Sequence, residues 1–319
     1  MRTFDEHAVP SIPDNAEKSL DAATARLARL ICAHAPHDGI FSGRIPGLYF
    51  GRHSRIDTES EHTIFSPSIG IAAQGSKTVS VGQEVYRYVG SRIFVAPVAV
   101  PARMQTTLAS STEPFLGVRL DLNPQRISEL VLKVYPKGLP AVRHWSAGYI
   151  INADLSIINA VTRLVECLSS SVDADLVAPL VVDEILIRLL CSPIGAHVAE
   201  MGTANSSVQR IAKAIAALRD NFSQQIKIAD LADLVHMSVS SFHEHFKSVT
   251  SMSPLQYQKA LRLHEARRLL LSGELDTATV YQLVGYVSHS QFSRDYKRFF
   301  GNPPSRDIAR LRKQAYKLD

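Results

Sequence analysis

Five residues near the C-terminus recur in order at a constant offset, and this recurrence constrains the fold more than any other feature of the chain. Ser238, Phe242, Phe246, Lys247 and Pro254 return as Ser288, Phe292, Tyr296, Lys297 and Pro304, each fifty residues further on. An internal repeat means that one supersecondary unit has been used twice. In both copies a short turn leads to a serine, a helical run and a stop at a small residue and proline. That order is the pattern of a helix-turn-helix, whose second helix enters the DNA major groove.

In the first copy, about 228–249, residues 228–235 predict the supporting helix, with Leu231, Ala232 and Leu234 as packing contacts. His236 and Met237 turn the chain, and the Ser238 hydroxyl can cap the next helix by accepting an orphaned backbone N–H. Phe242, Phe246 and Val249 fall on one helical stripe, which leaves Ser240, Ser241, His243, Glu244 and Lys247 outside. In the second copy, about 278–300, Gly285 to Val287 turn and Ser288 caps. Phe292, Tyr296 and Phe299 are expected to face inward, with His289, Ser290, Ser293, Arg294 and Lys297 outward. One such outer face is ordinary solvated surface; two in one basic domain point to DNA. Residues 254–271 between the copies predict a single helix about 27 Å long at 1.5 Å per residue, which suits two successive major grooves.

Charge supports this placement. From residue 205 onward there are 17 Lys and Arg against 10 Asp and Glu, whereas the first 204 residues carry 18 against 20. The basic character is concentrated on the repeat, as expected for a nucleic-acid footprint. The 319 residues suffice for two domains. The longest apolar run, 177–191, is broken by Asp183, Glu184 and Arg188, so a buried helix is expected and no membrane partner. Asp5, Glu6, Asp14 and Glu17 do not fit the basic-then-apolar order of a leader, and a cytoplasmic protein is expected. Cys32, Cys167 and Cys191 form no CxxC or metal-type spacing.

The N-terminal part has a different texture. Residues 19–33 predict a helix. Short β-branched and aromatic runs over 45–122, separated by glycine and proline, predict an antiparallel barrel or sandwich. Helices are expected over 125–134, 155–169 and 176–190. The Gly/Ala/Ser/Asn-rich stretch 195–206 reads as a linker, giving a domain over 1–200, a linker at 201–207 and a second domain over 208–319. His34, His37, His53 and His62 contain no HxH pair, and no nucleophile elbow, phosphate loop or HExxH occurs. No metal, cofactor or enzymatic activity is therefore expected. A barrel can still hold a small ligand, since side chains alternate in and out. Gln74, Lys77, Tyr86, Tyr88 and Arg119 are the candidate lining residues, with no ligand class indicated.

Two stretches, SVSSFHEHFKSVTSMSPLQYQKALRLHEARRLL and VGYVSHSQFSRDYKRFFGNPP, resemble the AraC family of bacterial transcription regulators over residues 208–311. The resemblance implies that Ser240, His243, Glu244 and Lys247, then His289, Ser290, Ser293 and Arg294, read bases and phosphates. Arg294 is the foremost base reader, because arginine pairs bidentately with guanine. Three positions depart from the family pattern: Glu244 stands where a basic residue is common, Ser251 replaces a glycine, and Tyr281 replaces a small residue. The segment IGIAAQGSKTVSVGQEVYRYVGSRIFVAPVAVPARMQ, followed by FLGVRLDL, is similar to the regulatory domain of one subgroup. The implied fold class is α+β, a cupin-like antiparallel β-barrel with helices followed by an all-α double helix-turn-helix domain. The implied function is one-component, sequence-specific transcription regulation. Its expected partners are double-stranded promoter DNA, an unknown small-molecule effector, a second copy of the chain as a homodimer, and RNA polymerase. The rival readings are a metal-dependent cupin enzyme with a DNA-binding tail and a constitutive dimeric regulator without effector.

Overall fold

The computed structural model describes residues 14–142 and 144–315. Asp5 and Glu6, read above for a leader, lie outside them, as do residues 316–319 of the second domain. The chain divides after Gln209 into two compact units.

The first unit opens with helix α1 (Asp14–His34). Ten strands follow: β1 (Gly39–Ser42), β2 (Leu48–His53), β3 (Glu61–Phe65), β4 (Ser68–Gln74), β5 (Ser76–Val81), β6 (Glu84–Val89), β7 (Arg92–Ala96), β8 (Val100–Leu108), β9 (Phe115–Asp121) and β10 (Tyr149–Asn152). They form a six-stranded sheet, β1-β2-β9-β4-β7-β10, and a four-stranded sheet, β3-β8-β5-β6. Every pairing is antiparallel. β1 and β10 lie outside the expected window 45–122 and form the two edges of the larger sheet. The period-2 pattern sets the inner face. In β6, Tyr86 and Tyr88 are buried while Val85, Arg87 and Val89 are exposed. Lys77 pairs across from Tyr88, and Val79 from Tyr86. Phe94 of β7 packs on Phe65, Tyr86 and Tyr88 with ring centroids 5.3–6.0 Å apart, so the two sheets close on one apolar interior.

Helix α1 packs on β4, β9 and α3 (Leu155–Glu166). Three further helices, α2 (Pro124–Val134), α4 (Ala178–Leu190) and α5 (Gly195–Gly202), pack against one another. Helix α5 corrects the linker expected over 195–206. Its small residues serve close packing, since a Cβ at Gly202 would lie 2.4 Å from the Ser128 nitrogen of α2. Helix α4 buries Val181, Ile185, Leu186, Leu189 and Leu190 but exposes Leu180 and Ile187. Among the described residues no helix is long and apolar enough to cross a membrane.

Helix α6 (Ser207–Asp220) runs into the second unit. There follow α7 (Ile228–Leu234), α8 (Val239–Thr250), α9 (Pro254–Ser272), α10 (Thr277–Leu283), α11 (His289–Phe300) and α12 (Pro304–Ala315). Helix α9 starts at a capping box in which Ser253 and Gln256 satisfy each other's backbone N–H. Helices α8, α10, α11 and α12 all pack on it. Both copies are therefore built around one central rod.

Candidate nucleic-acid interface and barrel cavity

Helices α7 and α8 form the first helix-turn-helix, α10 and α11 the second. Ser238 and Ser288 cap α8 and α11, accepting from the backbone N–H of Ser241 and Gln291. Phe242, Phe246 and Val249 are fully buried, as are Phe292 and Tyr296. The third inward residue of the second copy is Phe300 rather than the expected Phe299, which is only partly buried. The stripe there advances in two steps of four residues and so follows a slightly different line down the helix.

The candidate reading residues stay outside this packing. Ser240, His243, Glu244 and Lys247 are exposed, as are His289, Ser290 and Arg294; Ser293 is half-buried. Arg294, Lys247 and Lys297 make no ion pair among the described residues. The arginines of α9 are engaged. Arg267 bonds Asp307 at 2.8 and 2.9 Å, and Arg268 bonds Glu265. Arg262 donates to the carbonyls of Phe222, Gln224 and Gly285 at 2.8–2.9 Å, and its burial lowers its pKa. Uncommitted cations thus stand on both second helices, Lys247 on α8 and Arg294 and Lys297 on α11. Tyr281, where the family pattern has a small residue, is accommodated inside its unit. It packs on the second core and sets its ring 5.5 Å from that of His289, edge to face. Ser251 closes α8 in the left-handed conformation (φ 56°) that the usual glycine would take.

Arg262, Gln258 and Asp307 position this surface, and sequence reasoning missed them. Gln258 donates to the carbonyls of Phe222 and Gln224 at 2.8 and 2.7 Å, beside Arg262. Asp307 is fully buried and accepts from Arg267, Arg310 and the Tyr296 hydroxyl. Polar residues on helices read as solvated, and no local pattern marks them as buried.

In the first unit, Lys77, Tyr88 and Arg119 line a cavity of about 70 Å³ between the sheets. The other two candidates lie elsewhere. Gln74 donates to the Pro114 carbonyl at 2.8 Å and borders a separate open cleft beside α1. Tyr86 bonds Glu84 and Ser146. Lys77 is almost fully buried, with its ammonium 2.9 Å from His53 Nε2 and 4.7 Å from the Phe115 ring centroid. Burial first, and the Lys77 charge second, push the His53 imidazole down to about 4. His53 is therefore neutral at neutral pH, and Nε2 accepts from the lysine. Among the described residues no group of three His, Cys, Asp or Glu side chains could hold a metal.

Residues 44–197 match the family model for the AraC-type transcriptional regulator N-terminus, and residues 231–310 match a helix-turn-helix domain model. The transcriptional activator RhaS of Pectobacterium carotovorum is 28% identical over 114 residues, 36% of this chain and 39% of RhaS. The virulence regulon activator VirF of Yersinia enterocolitica is 29% identical over 168 residues, 52% of this chain and 60% of VirF. The chain thus spans between about two fifths and three fifths of the length of these curated relatives. ToxT from Vibrio cholerae superposes with a TM-score of 0.54 at 12% identity, covering 81% of this chain and 97% of ToxT. Wild-type ToxT from strain SCE256, solved with an unsaturated fatty acid bound, gives 0.50 at 13% identity over 81% of this chain and 94% of that one. At these identities the likeness to ToxT is one of fold. With one matched segment following the other along a single polypeptide, the chain belongs to the AraC family of transcriptional regulators.

Proposed function

We propose that this chain is a one-component transcription regulator whose second unit binds promoter DNA in a sequence-specific way. The observation that carries this reading is the pair of second helices with exposed faces, on which Lys247, Arg294 and Lys297 are uncommitted while Arg262 and Arg267 of α9 are held by internal partners. Arg294 is assigned to a base edge and Lys247 to a phosphate. Ser240, His243, Glu244, His289, Ser290 and Ser293 complete the two reading faces. Helix α9, 19 residues long or about 28 Å, suits two successive major-groove segments. The first unit serves as effector domain through the cavity that Lys77, Tyr88 and Arg119 line. It also dimerises, since Leu176, Leu180 and Ile187 leave an apolar face uncovered.

Footprinting of the full chain and of residues 205–319 tests this reading. The fragment should protect two groove segments and the full chain about twice that length. Affinity should fall linearly with salt on a log–log scale as phosphate contacts release counterions. A folded fragment that leaves duplex DNA unprotected, or binds it without salt dependence, refutes the proposal.

A further inference from the structure

Lys77 poses a physical problem that the rest of the first unit does not solve. It keeps 5% of its surface exposed, yet no carboxylate pairs with it among the described residues. Burial lowers its pKa, and Glu61 and Asp57 oppose that only through space. Its neighbours are the Phe115 ring and the acceptor nitrogen of His53. A buried ammonium is costly unless paired, and an arrangement that replaced it by an apolar residue would be as stable or more so.

The cavity beside it shows what would complete the pair. Its polar lining consists of Lys77, Arg119, Tyr49 and Tyr88, with no carboxylate, carboxamide or aliphatic hydroxyl side chain. Every charged group there is a cation. Tyr88 lies directly across the strand pair from Lys77, and its hydroxyl has no hydrogen-bond partner among the described residues. At the opposite wall the Arg119 guanidinium stacks on Tyr49 at 4.1 Å and lies 3.4 Å from Asp121. The remaining walls are aromatic and aliphatic. Two glycines leave space open: a Cβ at Gly51 would meet nothing within 4 Å, and one at Gly70 only the Tyr88 hydroxyl at 3.9 Å. A sugar or polyol needs carboxylate and amide acceptors that are missing here. An anion with an apolar body meets a cation, a phenolic donor and aromatic walls. The volume of about 70 Å³ limits the enclosed part to a few heavy atoms.

We propose that the cavity between the two sheets binds a small monocarboxylate with an apolar body, its carboxylate seated on the Lys77 ammonium and within reach of the Tyr88 hydroxyl. That this ligand is the effector rests on the regulator reading above; that the site takes such an anion does not. His53 holds the empty ammonium in place, the phenol fixes the second oxygen, and the ring of Phe115 flanks the charge.

The test measures thermal unfolding of the full chain with isovalerate and benzoate, each beside its neutral amide, isovaleramide or benzamide. A ligand that binds only the folded state raises Tm with the logarithm of its concentration. Either acid should raise Tm, the better of the two indicating an aliphatic or aromatic body, while the amides should not. Lys77→Met should start at an equal or higher Tm and lose the response. Gly70→Val, which keeps the lysine and fills the cavity, should lose it as well. Amides as effective as acids, no response to either acid by the folded wild type, or a response that survives Lys77→Met overturns the proposal. The acid-against-amide comparison decides the matter even if a variant fails to fold. DNA binding measured on the same samples without ligand tests the regulator reading separately.

Discussion

The two helix-turn-helix copies place inward aromatics at the same two positions and use the same serine cap, but they differ in the length of the turn. Four residues separate α7 from α8, and five separate α10 from α11. The supporting helices consequently repeat at 49 residues and the second helices at 50. His236 (φ 54°) and Gly285 (φ 84°) hold the same left-handed place relative to the supporting helix, so the extra residue lies after it. That region includes Val287, 96% exposed at the approach to α11. The left-handed positions also differ in residue type: the first copy uses His236 and Ser251, the second Gly285 and Gly301. A fold can therefore be duplicated while its two tight points are solved differently. In the second copy the first tight point is also a docking point. A Cβ at Gly285 would lie 2.0 Å from the Ser223 carbonyl oxygen, and Arg262 bonds the Gly285 carbonyl.

The largest expected difference follows from that contact. Gly285→Val combines a forbidden φ with backbone overlap and should destabilise the second unit by more than about 4 kcal/mol. His236→Val, at the matching place, has an exposed side chain, and because histidine already carries the left-handed strain the change should cost less than about 1–2 kcal/mol. Urea unfolding of both variants checks this, and equal losses would erase the distinction between the turns.

Next comes the buried acid. Tyr296 occupies the slot of Phe246, and only the tyrosine has a hydroxyl to bond Asp307. Asp307→Asn leaves Arg267 and Arg310 without their anion and should cost about 3–5 kcal/mol. Burial raises the Asp307 carboxyl, but the bonds from Arg267 and Arg310 pull it the other way, and its pKa ends below the ordinary value. Its stabilisation is thus complete above the unfolded value of about 3.9 and is lost as pH falls through the lower folded one. Acid unfolding monitored by circular dichroism should show this step in the wild type and lose it in Asp307→Asn.

A smaller effect is expected on the reading surface. Glu244 and Arg294 occupy the same slot in the two copies with opposite charge. Arg294→Ala should lose about 1–3 kcal/mol of discrimination at one base position, where guanine is preferred. Glu244→Ala should relax a preference for cytosine and tighten binding to all sequences slightly. Selection from a random DNA pool checks both, and an unchanged preferred site for Arg294→Ala would remove its assignment to a base. The smallest change is at the helix ends. Ser251→Gly should stabilise the first copy by up to about 1 kcal/mol by relieving the left-handed residue, and Gly301→Ser should do the reverse. Thermal unfolding of the pair checks the sign.

The repeat, both serine caps and most of the inward stripe were legible in the sequence because a helix writes its buried face at fixed steps. The one-residue difference between the turns was not. The fifty-residue offset aligns only the serine, the second helix and the proline, whereas the supporting helices match at 49 through Ala229, Leu234 and Val235 against Ala278, Leu283 and Val284, a register that the first offset hides. Helix α5 was missed because glycine and alanine signal flexibility in isolation and close approach in context, as Gly202 against Ser128 shows. Of the five barrel candidates, alternation alone could not tell which strand faces would close together, so Lys77, Tyr88 and Arg119 converge while Gln74 and Tyr86 find other partners. His53 joined the site through tertiary contact with Lys77, 24 residues away.

If the second unit reads promoter DNA as proposed, helix α9 has a consequence for the evolution of its target sites. Both reading heads are packed on the same 19-residue rod, so their separation is set by the protein and cannot follow the DNA. A base substitution in a target site disturbs one contact, at roughly 1–3 kcal/mol. An inserted base pair between the two segments shifts the second by about 3.4 Å and rotates it by roughly 35° around the duplex axis, which affects every contact of one head together. Lineages of target sites should therefore wander in their letters while keeping their length, and a deletion that removes one base pair should be found only beside the site, never within its span.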